Sequence, residues 1–455
     1  MTATTIPAVP AVPAPVRVDL GLYPEIQRFG AADISACFSC GTCSATCPMS
    51  QSDGTFPRRI IRYAQLGMKD ALLSSKELWT CYQCGECAET CPTKADPSEF
   101  MAATRRYAIA SYDRTHLART MYTRPIVATI LAVMIAAFFA AFMYTAHGPM
   151  SGESLAIFEF IPAEIIHSVG IVVMLVVVLA GLLGVGTIAR DVGRREGVSL
   201  GAVFGSRAGL GRTGRALWST IGRESIGQVR FREECEADVI ASAVSAASRS
   251  SSAGGASNTS SSCTCSTMRA ENLSARSRRS TSIIASFMMS AAVPWYRRRW
   301  LVHALVVWGF LGLLAATGLD YGLALAGIKE TGTAVPIWYP VRLLGTVAGA
   351  ALVYGATVLI IDRYRAANRS VVKSTTADWL LLGLLWVTAV TGFAIELALY
   401  LPSAPVWGYW LFLVHVAVAM ELVLLAPFMK LAHAVYRPVA LFFVALAAQP
   451  KETPR

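Results

Sequence analysis

Eight of the eleven cysteines lie in two short runs of the same spacing, and these runs constrain the fold more than any other feature of the sequence. The runs read Cys37-x2-Cys40-x2-Cys43-x3-Cys47-Pro48 and Cys81-x2-Cys84-x2-Cys87-x3-Cys91-Pro92. Sets of four soft thiolates favour iron–sulfur clusters or zinc. A zinc site is satisfied by two Cys-x2-Cys pairs, whereas each run adds a third close cysteine and a fourth before proline. Disulfides are disfavoured, because cysteines three apart in a run are poorly placed to pair and the N-terminus does not resemble a signal peptide.

The same spacing is the signature of bacterial ferredoxins with two 4Fe–4S clusters. In that signature three close cysteines bind one cluster, and the cysteine before proline binds the other. It predicts one site made of Cys37, Cys40, Cys43 and Cys91. It predicts a second site made of Cys81, Cys84, Cys87 and Cys47. The two sites should lie close enough to exchange electrons.

The 33 residues between the two runs carry apolar side chains at helical spacing, from Ile60 to Leu72. This pattern predicts a helix and favours an α-helical ferredoxin domain over the small β-containing type. The basic residues Arg58, Arg59 and Arg62 occupy the other positions of the predicted helix. They form either a solvated face or a docking patch for an acidic redox partner.

The composition indicates a membrane protein, because 54% of the 455 residues are hydrophobic and only 15% are charged. Six apolar runs each approach the roughly 20 residues that a helix needs to cross a bilayer. They cover residues 126–146, 164–189, 300–319, 343–361, 379–401 and 406–430. The basic segment 99–124 precedes the first run, and we expect it to lie along the membrane surface.

Positive charges flank the apolar runs unevenly and predict the orientation of the chain. Arginine and lysine follow the second and fourth runs, whereas the connections 147–163 and 402–405 contain neither. By the positive-inside rule, both termini, the ferredoxin domain and the 191–299 connection lie in the cytoplasm. The net charge of +11 is explained by this topology and does not indicate nucleic-acid binding. We therefore expect a multi-pass protein of the cytoplasmic membrane.

These observations divide the chain into six parts. They are a disordered lead-in (1–29), the ferredoxin domain (30–110), the first two membrane helices (111–190), a cytoplasmic connection (191–299), four further membrane helices (300–445) and a tail (446–455). Residues 241–290 of the connection contain 17 serines and no sustained periodicity. We expect this segment to be disordered, and we interpret it as an insertion or the product of a shifted reading frame.

Four of the six histidines lie in or beside the apolar runs, where ionisable residues are costly and often functional. His415 and His433 are 18 residues apart, which on one helix is five turns, or about 27 Å. His167 and His303 belong to other runs at matching depths. The pairs His167–His415 and His303–His433 could therefore bind two b-type haems as axial ligands. His147 is a substitute for His167, and the alternative is that each histidine hydrogen-bonds locally.

Two acidic residues also lie at membrane depth, Glu396 in the fifth run and Glu421 in the sixth. Either could transfer protons to or from a quinone. The alternative is a carboxylate paired with a nearby hydroxyl group or arginine.

Family resemblance agrees with these expectations. The cysteine runs, with Leu78-Trp79-Thr80 before Cys81, resemble the C subunit of heterodisulfide reductase. The run with His415 and His433 resembles the cytochrome b subunit of respiratory nitrate reductase. A chain with both parts is similar to the C subunit of the quinone-interacting membrane-bound oxidoreductase complex.

This resemblance implies an all-α fold, in which an α-helical dicluster ferredoxin domain precedes a six-helix transmembrane cytochrome b-like bundle. It implies haem b as cofactor, menaquinone as substrate, and soluble flavin and iron–sulfur partner subunits linked indirectly to adenylylsulfate reductase. On this interpretation the chain is the electron-transfer subunit of a quinone-dependent oxidoreductase complex. The alternatives are a haem-free membrane ferredoxin with an accessory role in metal-centre maturation or redox sensing, and a passive membrane anchor.

Overall fold

The fold was obtained as a computed structural model, which describes residues 17–51, 55–150, 155–198, 207–220, 295–329, 335–365, 374–401 and 405–449. Within these ranges the regular structure is helical and contains no strand, so the all-α prediction is confirmed for this part of the chain. The serine-rich segment 241–290 lies outside the described residues. The helices of the first half are α1 (Leu22–Gln27), α2 (Thr42–Ala45), α3 (Arg58–Gln65), α4 (Lys69–Leu73), α5 (Glu77–Thr80), α6 (Glu86–Glu89), α7 (Pro97–Tyr112), α8 (Leu117–Thr123), α9 (Pro125–Thr145), α10 (Ile157–Phe160) and α11 (Ala163–Arg195). Those of the second half are α12 (Arg207–Trp218), α13 (Arg299–Leu325), α14 (Pro340–Tyr364), α15 (Thr376–Leu399), α16 (Val406–Leu425) and α17 (Ala432–Ala447).

The predicted lead-in of residues 1–29 overlaps ordered structure. Leu22 and Ile26 of α1 are fully buried, and Phe29 follows them into the same core. These three apolar side chains give α1 a packed face despite its short length. The ordered domain therefore begins before residue 30, which corrects the predicted boundary.

The helix predicted between the cysteine runs forms as two helices, α3 and α4, separated by Gly67. Gly67 has φ +68°, a left-handed conformation that favours glycine. Its carbonyl accepts a hydrogen bond from the Asp19 amide at 2.8 Å, and a side chain at this position would collide with the Asp19 backbone. The apolar face is buried as predicted, including Ile60 and Leu72.

The expectation that residues 99–124 lie along a membrane surface is wrong for α7, which is the central helix of the ferredoxin domain and is buried over nearly its whole length. Its arginines are buried too, because each finds acceptors within the domain. The Arg106 guanidinium donates to the Phe29 carbonyl at 2.7 Å and pairs with Glu99 at 2.8 Å. Buried guanidinium groups are stable only when they are paired in this way.

Six helical segments are long and apolar enough to cross a membrane, in agreement with the six predicted runs. They are α9, α11, α13, α14, α15 and the combined segment Val406–Ala447. The helix α16 packs against both α9 and α15, and α17 packs against α11. In the α13–α14 pair glycines permit close approach, since a Cβ on Gly312 would lie 2.7 Å from the Cβ of Ala348.

The sixth segment is not one continuous helix. It is interrupted by a 3-10 turn over Ala426–Phe428 and by the extended residue Met429, and α17 begins only at Ala432. Pro427 explains the break, because proline lacks the amide that would continue the helix and its ring clashes with the preceding turn. The inference that His415 and His433 lie five turns apart on one helix is therefore wrong.

The ferredoxin domain is joined to one end of the bundle by specific polar contacts. The Arg195 guanidinium, at the end of α11, contacts the Ala71 carbonyl and donates to the Tyr63 hydroxyl at 3.0 Å. Next to it, Lys76 and Glu196 form an ion pair at 3.1 Å. Side chains of the ferredoxin domain and of the helix bundle also belong to a single apolar cluster. The domain and the bundle therefore pack as one body.

Candidate functional site

The two cysteine runs adopt the same backbone conformation. In each run the residue before the second cysteine has a positive φ, 59° at Ser39 and 52° at Gln83. The glycine after that cysteine is left-handed as well, with φ 88° at Gly41 and 95° at Gly85. A short helix, α2 or α6, then carries the third cysteine. Identical spacing has thus produced two equivalent loops, each of which presents three cysteines.

The fourth cysteines are brought together between the loops. The hydroxyls of Thr46 and Thr90, each just before a fourth cysteine, lie 3.2 Å apart. The helices α2 and α6 pack against each other at the same place. Cys47 and Cys91 therefore stand where each can face the opposite run.

The structure brings the fourth cysteine of the first run to the three close cysteines of the second run. A cavity is lined by Cys47 together with Cys81, Cys84 and Cys87, and its apolar wall includes Phe56 and Met101. Burial and the nearby charges of Cys81 and Cys84 raise the pKa of the Cys47 thiol to about 12. These four residues are the set predicted for the second site.

The first set is grouped in the same way. Burial raises the pKa of the Cys43 thiol to about 11, with further contributions from Cys37, Cys40 and Cys91. Burial is also the main cause of the raised pKa of Cys87, to which Cys43 of the first set contributes. The two sites are therefore adjacent.

The donor chemistry fits two clusters. Soft sulfur donors line each site, where Cys43 is buried and Cys47 and Cys87 are partly buried. Among the described residues, no three metal-binding side chains are close enough together to hold a single ion. In a 4Fe–4S cluster each cysteine binds a different iron, so its four ligands stand further apart than the four ligands of a zinc ion.

Two arginines converge on the backbone carbonyl of Cys81. Arg105 of α7 donates to it at 2.6 Å, and Arg437 of α17 donates to it at 3.2 Å. Arg437 also donates to the Trp79 carbonyl at 2.7 Å and lies over the Tyr82 ring, 5.3 Å from its centre. The last helix of the bundle therefore contacts the second cysteine run directly.

His433 lies in the same region. Its ring is partly buried and stacks on Trp79 with the ring centres 5.9 Å apart. Its Nδ1 has no hydrogen-bond partner among the described residues. His303 of α13 lies within electrostatic range of His433. His433 thus lies next to the second cysteine run, and its pairing with His303 stays a prediction.

The histidines of the second predicted pair, His167 and His415, each contact a different residue. His167 packs on the Tyr321 ring with a centre separation of 4.3 Å. The His415 Nδ1 lies 2.8 Å from the Thr391 hydroxyl. A Cβ on Gly392 would lie 3.3 Å from the His415 ring, so this glycine keeps space beside it.

His147, the substitute ligand, contacts its own helix end. Its Nδ1 lies 2.6 Å from the Tyr144 carbonyl, and its ring stacks on the Tyr144 ring with the centres 4.6 Å apart. This local arrangement is the alternative that the sequence left open for every membrane histidine.

The two acidic residues at membrane depth differ. Glu396 pairs with Arg342 at 3.4 Å and contacts the Thr346 hydroxyl at 3.5 Å. Glu421 is only 2% exposed, and its Oε1 has no hydrogen-bond partner among the described residues. Ion pairing accounts for Glu396, whereas Glu421 remains a candidate for proton transfer.

Sequence reasoning missed the roles of Trp79, Arg105 and Arg437. An arginine in the apolar C-terminal stretch 432–447 was a usable signal for Arg437, because charged residues in such stretches usually have a partner. The contacts of Arg105 with backbone carbonyls left no signal in the sequence.

Comparison with known proteins agrees with this geometry. A family profile described as a 4Fe-4S dicluster domain matches residues 33–95. A second profile, described as citrate utilization protein B, matches residues 262–453 and thus begins inside the serine-rich segment.

The chain is 35% identical over 63 residues to the C subunit of the H(2):CoB-CoM heterodisulfide,ferredoxin reductase of Methanothermobacter thermautotrophicus, which is 14% of this chain and 34% of that protein. It is 36% identical over 56 residues to the iron-sulfur C subunit of the CoB--CoM heterodisulfide reductase of Methanopyrus kandleri, which is 12% of this chain and 29% of that protein. The chain thus spans about a third of the length of these relatives. No solved structure matches it. Residues 33–95 therefore form a 4Fe–4S dicluster domain homologous to part of the heterodisulfide reductase C subunit, in an iron–sulfur electron-transfer protein with six apolar helices.

Proposed function

We propose that this chain is the membrane-bound subunit that carries electrons between menaquinone and cytoplasmic redox partners, with haem b in the bundle and two 4Fe–4S clusters in the ferredoxin domain. The observation that carries the proposal is the contact between the two halves. Arg437 binds the carbonyls of Trp79 and Cys81, and Trp79 stacks on His433. A passive anchor would not need its last helix to reach a cluster-binding loop.

The cysteines divide into two ligand sets in this proposal. Cys37, Cys40, Cys43 and Cys91 hold one cluster, and Cys81, Cys84, Cys87 and Cys47 hold the other. Each cluster supplies reversible one-electron chemistry, and the protein supplies position, burial and nearby charge. The second set, next to the bundle, is the one that exchanges electrons with the membrane half.

We assign His303 and His433 as axial ligands of the haem nearer the ferredoxin domain. The position of His433 beside Trp79 and the second cysteine run, with His303 within electrostatic range, supports this assignment. We assign His167 and His415 to the haem at the other end. Two features support this assignment. Gly392 keeps space beside His415, and the His415 Nδ1–H can donate to the Thr391 hydroxyl, which would orient the imidazole and leave Nε2 for the iron.

We assign Glu421 as the residue that exchanges protons with the quinone. Quinone reduction takes up protons as well as electrons, and Glu421 is a buried carboxyl group whose Oε1 has no hydrogen-bond partner among the described residues. Glu396 was the other candidate, and its pairing with Arg342 makes it the less suitable of the two.

The orientation rests on the positive-inside rule, which puts both termini and the ferredoxin domain in the cytoplasm. Soluble flavin and iron–sulfur subunits of the same complex would be the partners there. The curated relatives are reductase subunits, which supports further subunits for this chain.

Two metabolic roles for the cytoplasmic redox partner can be distinguished by experiment. The resemblance noted in the sequence suggests sulfur metabolism, through adenylylsulfate reductase. The match of residues 262–453 to citrate utilization protein B instead favours a partner that acts on a citrate-like carboxylic acid. Deletion of the gene should impair growth on sulfur compounds in the first case and on citrate-like acids in the second.

One experiment tests the haem assignment against the haem-free alternative, an accessory ferredoxin for metal-centre maturation or redox sensing. Purified protein, made with full haem supply, should show b-type bands in reduced-minus-oxidised spectra. His303→Ala and His433→Ala should each remove the same band, and His147→Ala should leave both haems in place. A wild-type protein with full iron and sulfide content but no haem bands would exclude the proposal in favour of the accessory role.

A further inference from the structure

A cleft of about 550 Å³ opens beside Cys37, on the surface of the ferredoxin domain. One wall is the loop Cys37–Ser39, and the other is formed by α3 and the residues that follow it. The cleft therefore borders a ligand of the first cysteine set, whereas the bundle contacts the second set through Arg437. The two sets face different neighbours.

The cleft is positively charged. Three of its lining residues are arginines, and none of the lining residues is acidic. Arg58 donates to the Ser39 carbonyl at 3.3 Å and so lies against the cysteine loop. Arg59 is held by an ion pair with the buried Glu77, which balances its charge. Arg62 is exposed and contacts Gln65 at 3.5 Å, so its charge faces the solvent.

Apolar side chains stand beside these charges. Phe38, the residue next to Cys37, is 66% exposed, and Leu66 is 45% exposed. An exposed aromatic ring amid arginines is the composition of the centre of a protein–protein interface. A purely solvated face would not require either apolar side chain.

We propose that this cleft docks a carboxylate-rich surface of a soluble redox protein, and that electrons enter or leave the chain here, beside Cys37. Arg58 and Arg62 attract the carboxylates of the partner, and Phe38 supplies an apolar contact that becomes buried on docking. One electron passes in each encounter: the donor centre loses it, the acceptor centre gains it, and no bond or proton is transferred. The inference rests on the proposed electron-transfer function and adds to it the chemistry of the partner and its place of docking.

The first test measures binding and does not depend on the clusters. A fluorescein-labelled hexaglutamate peptide is titrated with full-length protein in nanodiscs of zwitterionic lipid, and its anisotropy is followed. Arg62→Glu and Phe38→Ser should each weaken binding by roughly three- to tenfold. Arg114→Glu is the matched control, since it makes the same charge change at an exposed residue that does not line the cleft. Equal losses in Arg62→Glu and Arg114→Glu would mean general charge attraction and would overturn the proposal.

The second test uses the clusters. The reduced protein is oxidised either by ferricyanide, an anion that becomes ferrocyanide, or by hexaamminecobalt(III), a cation that becomes cobalt(II). Arg62→Glu should lower the ratio of the ferricyanide rate to the cobalt rate several-fold, and added salt should diminish the difference. Arg114→Glu should leave the ratio within roughly twofold of the wild type.

The outcomes separate the two claims. If iron and sulfide analysis finds no clusters, the proposed function fails, and the peptide titration still decides the docking claim. If both clusters are present but the rate ratio and peptide binding are unchanged in Arg62→Glu, the docking claim fails alone.

Discussion

The Nη1 of Arg437 donates to the backbone carbonyl of Trp79 at 2.7 Å, across the boundary between the helix bundle and the ferredoxin domain. The same guanidinium reaches the Cys81 carbonyl, which also accepts from Arg105. If Cys81 binds a cluster as proposed, a positive charge so close to it would stabilise the more negative, reduced state of that cluster. We therefore expect the bundle to influence the redox properties of the ferredoxin domain through one side chain.

We expect Arg437→Gln to lower the reduction potential of the cluster held by Cys81, Cys84, Cys87 and Cys47. The shift should be tens of millivolts, because an interaction of about 1.4 kcal/mol corresponds to about 59 mV in a one-electron couple. Redox titration followed by electron paramagnetic resonance measures both clusters. Arg58→Gln, which acts on the Ser39 carbonyl of the other loop, is the control and should shift only the other signal. Identical potentials in wild type and Arg437→Gln would refute the prediction.

The crossed ligand sets make a prediction that an uncrossed arrangement does not. Cys47→Ser should perturb the same resonance signal as Cys84→Ser, although Cys47 belongs to the other run. Cys91→Ser should likewise perturb the same signal as Cys40→Ser. If Cys47→Ser and Cys40→Ser instead affect one common signal, each run holds its own cluster.

Gly184 allows α11 to pack against α17. A Cβ at this position would overlap the Tyr436 hydroxyl. Gly184→Ala should therefore destabilise the protein by roughly 1–3 kcal/mol, despite the better helix propensity of alanine. Thermal unfolding followed by intrinsic fluorescence gives the change. Tyr436→Phe in the same chain should restore part of the stability, and Gly186→Ala, where a Cβ meets nothing within 4 Å, should be neutral or slightly stabilising.

Arg195 holds the ferredoxin domain to α11 through the Ala71 carbonyl and the hydroxyls of Ser74, Ser75 and Tyr63. We expect Arg195→Ala to loosen this junction and to increase the rate at which a protease separates the two halves. Because the side chain is exposed, the increase should be several-fold and should not amount to a loss of folding. Arg194→Ala, a change at the neighbouring exposed arginine, is the matched control. Equal rates in the two variants would show that Arg195 does not hold the junction.

Local patterns predicted the cysteine loops and the six apolar helices because both are properties of neighbouring residues. The spacing of the cysteines determines the conformation of a ligand loop, and about 20 consecutive apolar residues are enough to form a membrane-spanning helix. Neither depends on contacts with distant parts of the chain. The structure also groups Cys47 with the second run, and the two crossed ligand sets stay a prediction.

The errors arose where distant contacts decide the structure. Arg105 and Arg106 make α7 resemble a surface helix, but acceptors elsewhere in the domain satisfy both side chains. Gly67 was overlooked as a break because its collision is with Asp19, some fifty residues earlier in the chain. The break at Pro427 was visible in the sequence, and the long apolar run around it concealed its effect.

The helix α11 has 33 residues, which gives it a length of about 50 Å. This exceeds the roughly 30 Å of hydrocarbon in a bilayer, so we expect part of α11 to extend beyond the lipid. The end of the helix carries Arg195 to the ferredoxin domain. We expect a domain held by a helix in this way to stay beside the bundle, unlike a carrier on a flexible tether. Partners must come to it, and its rate of turnover should depend on their concentration rather than on the length of a linker.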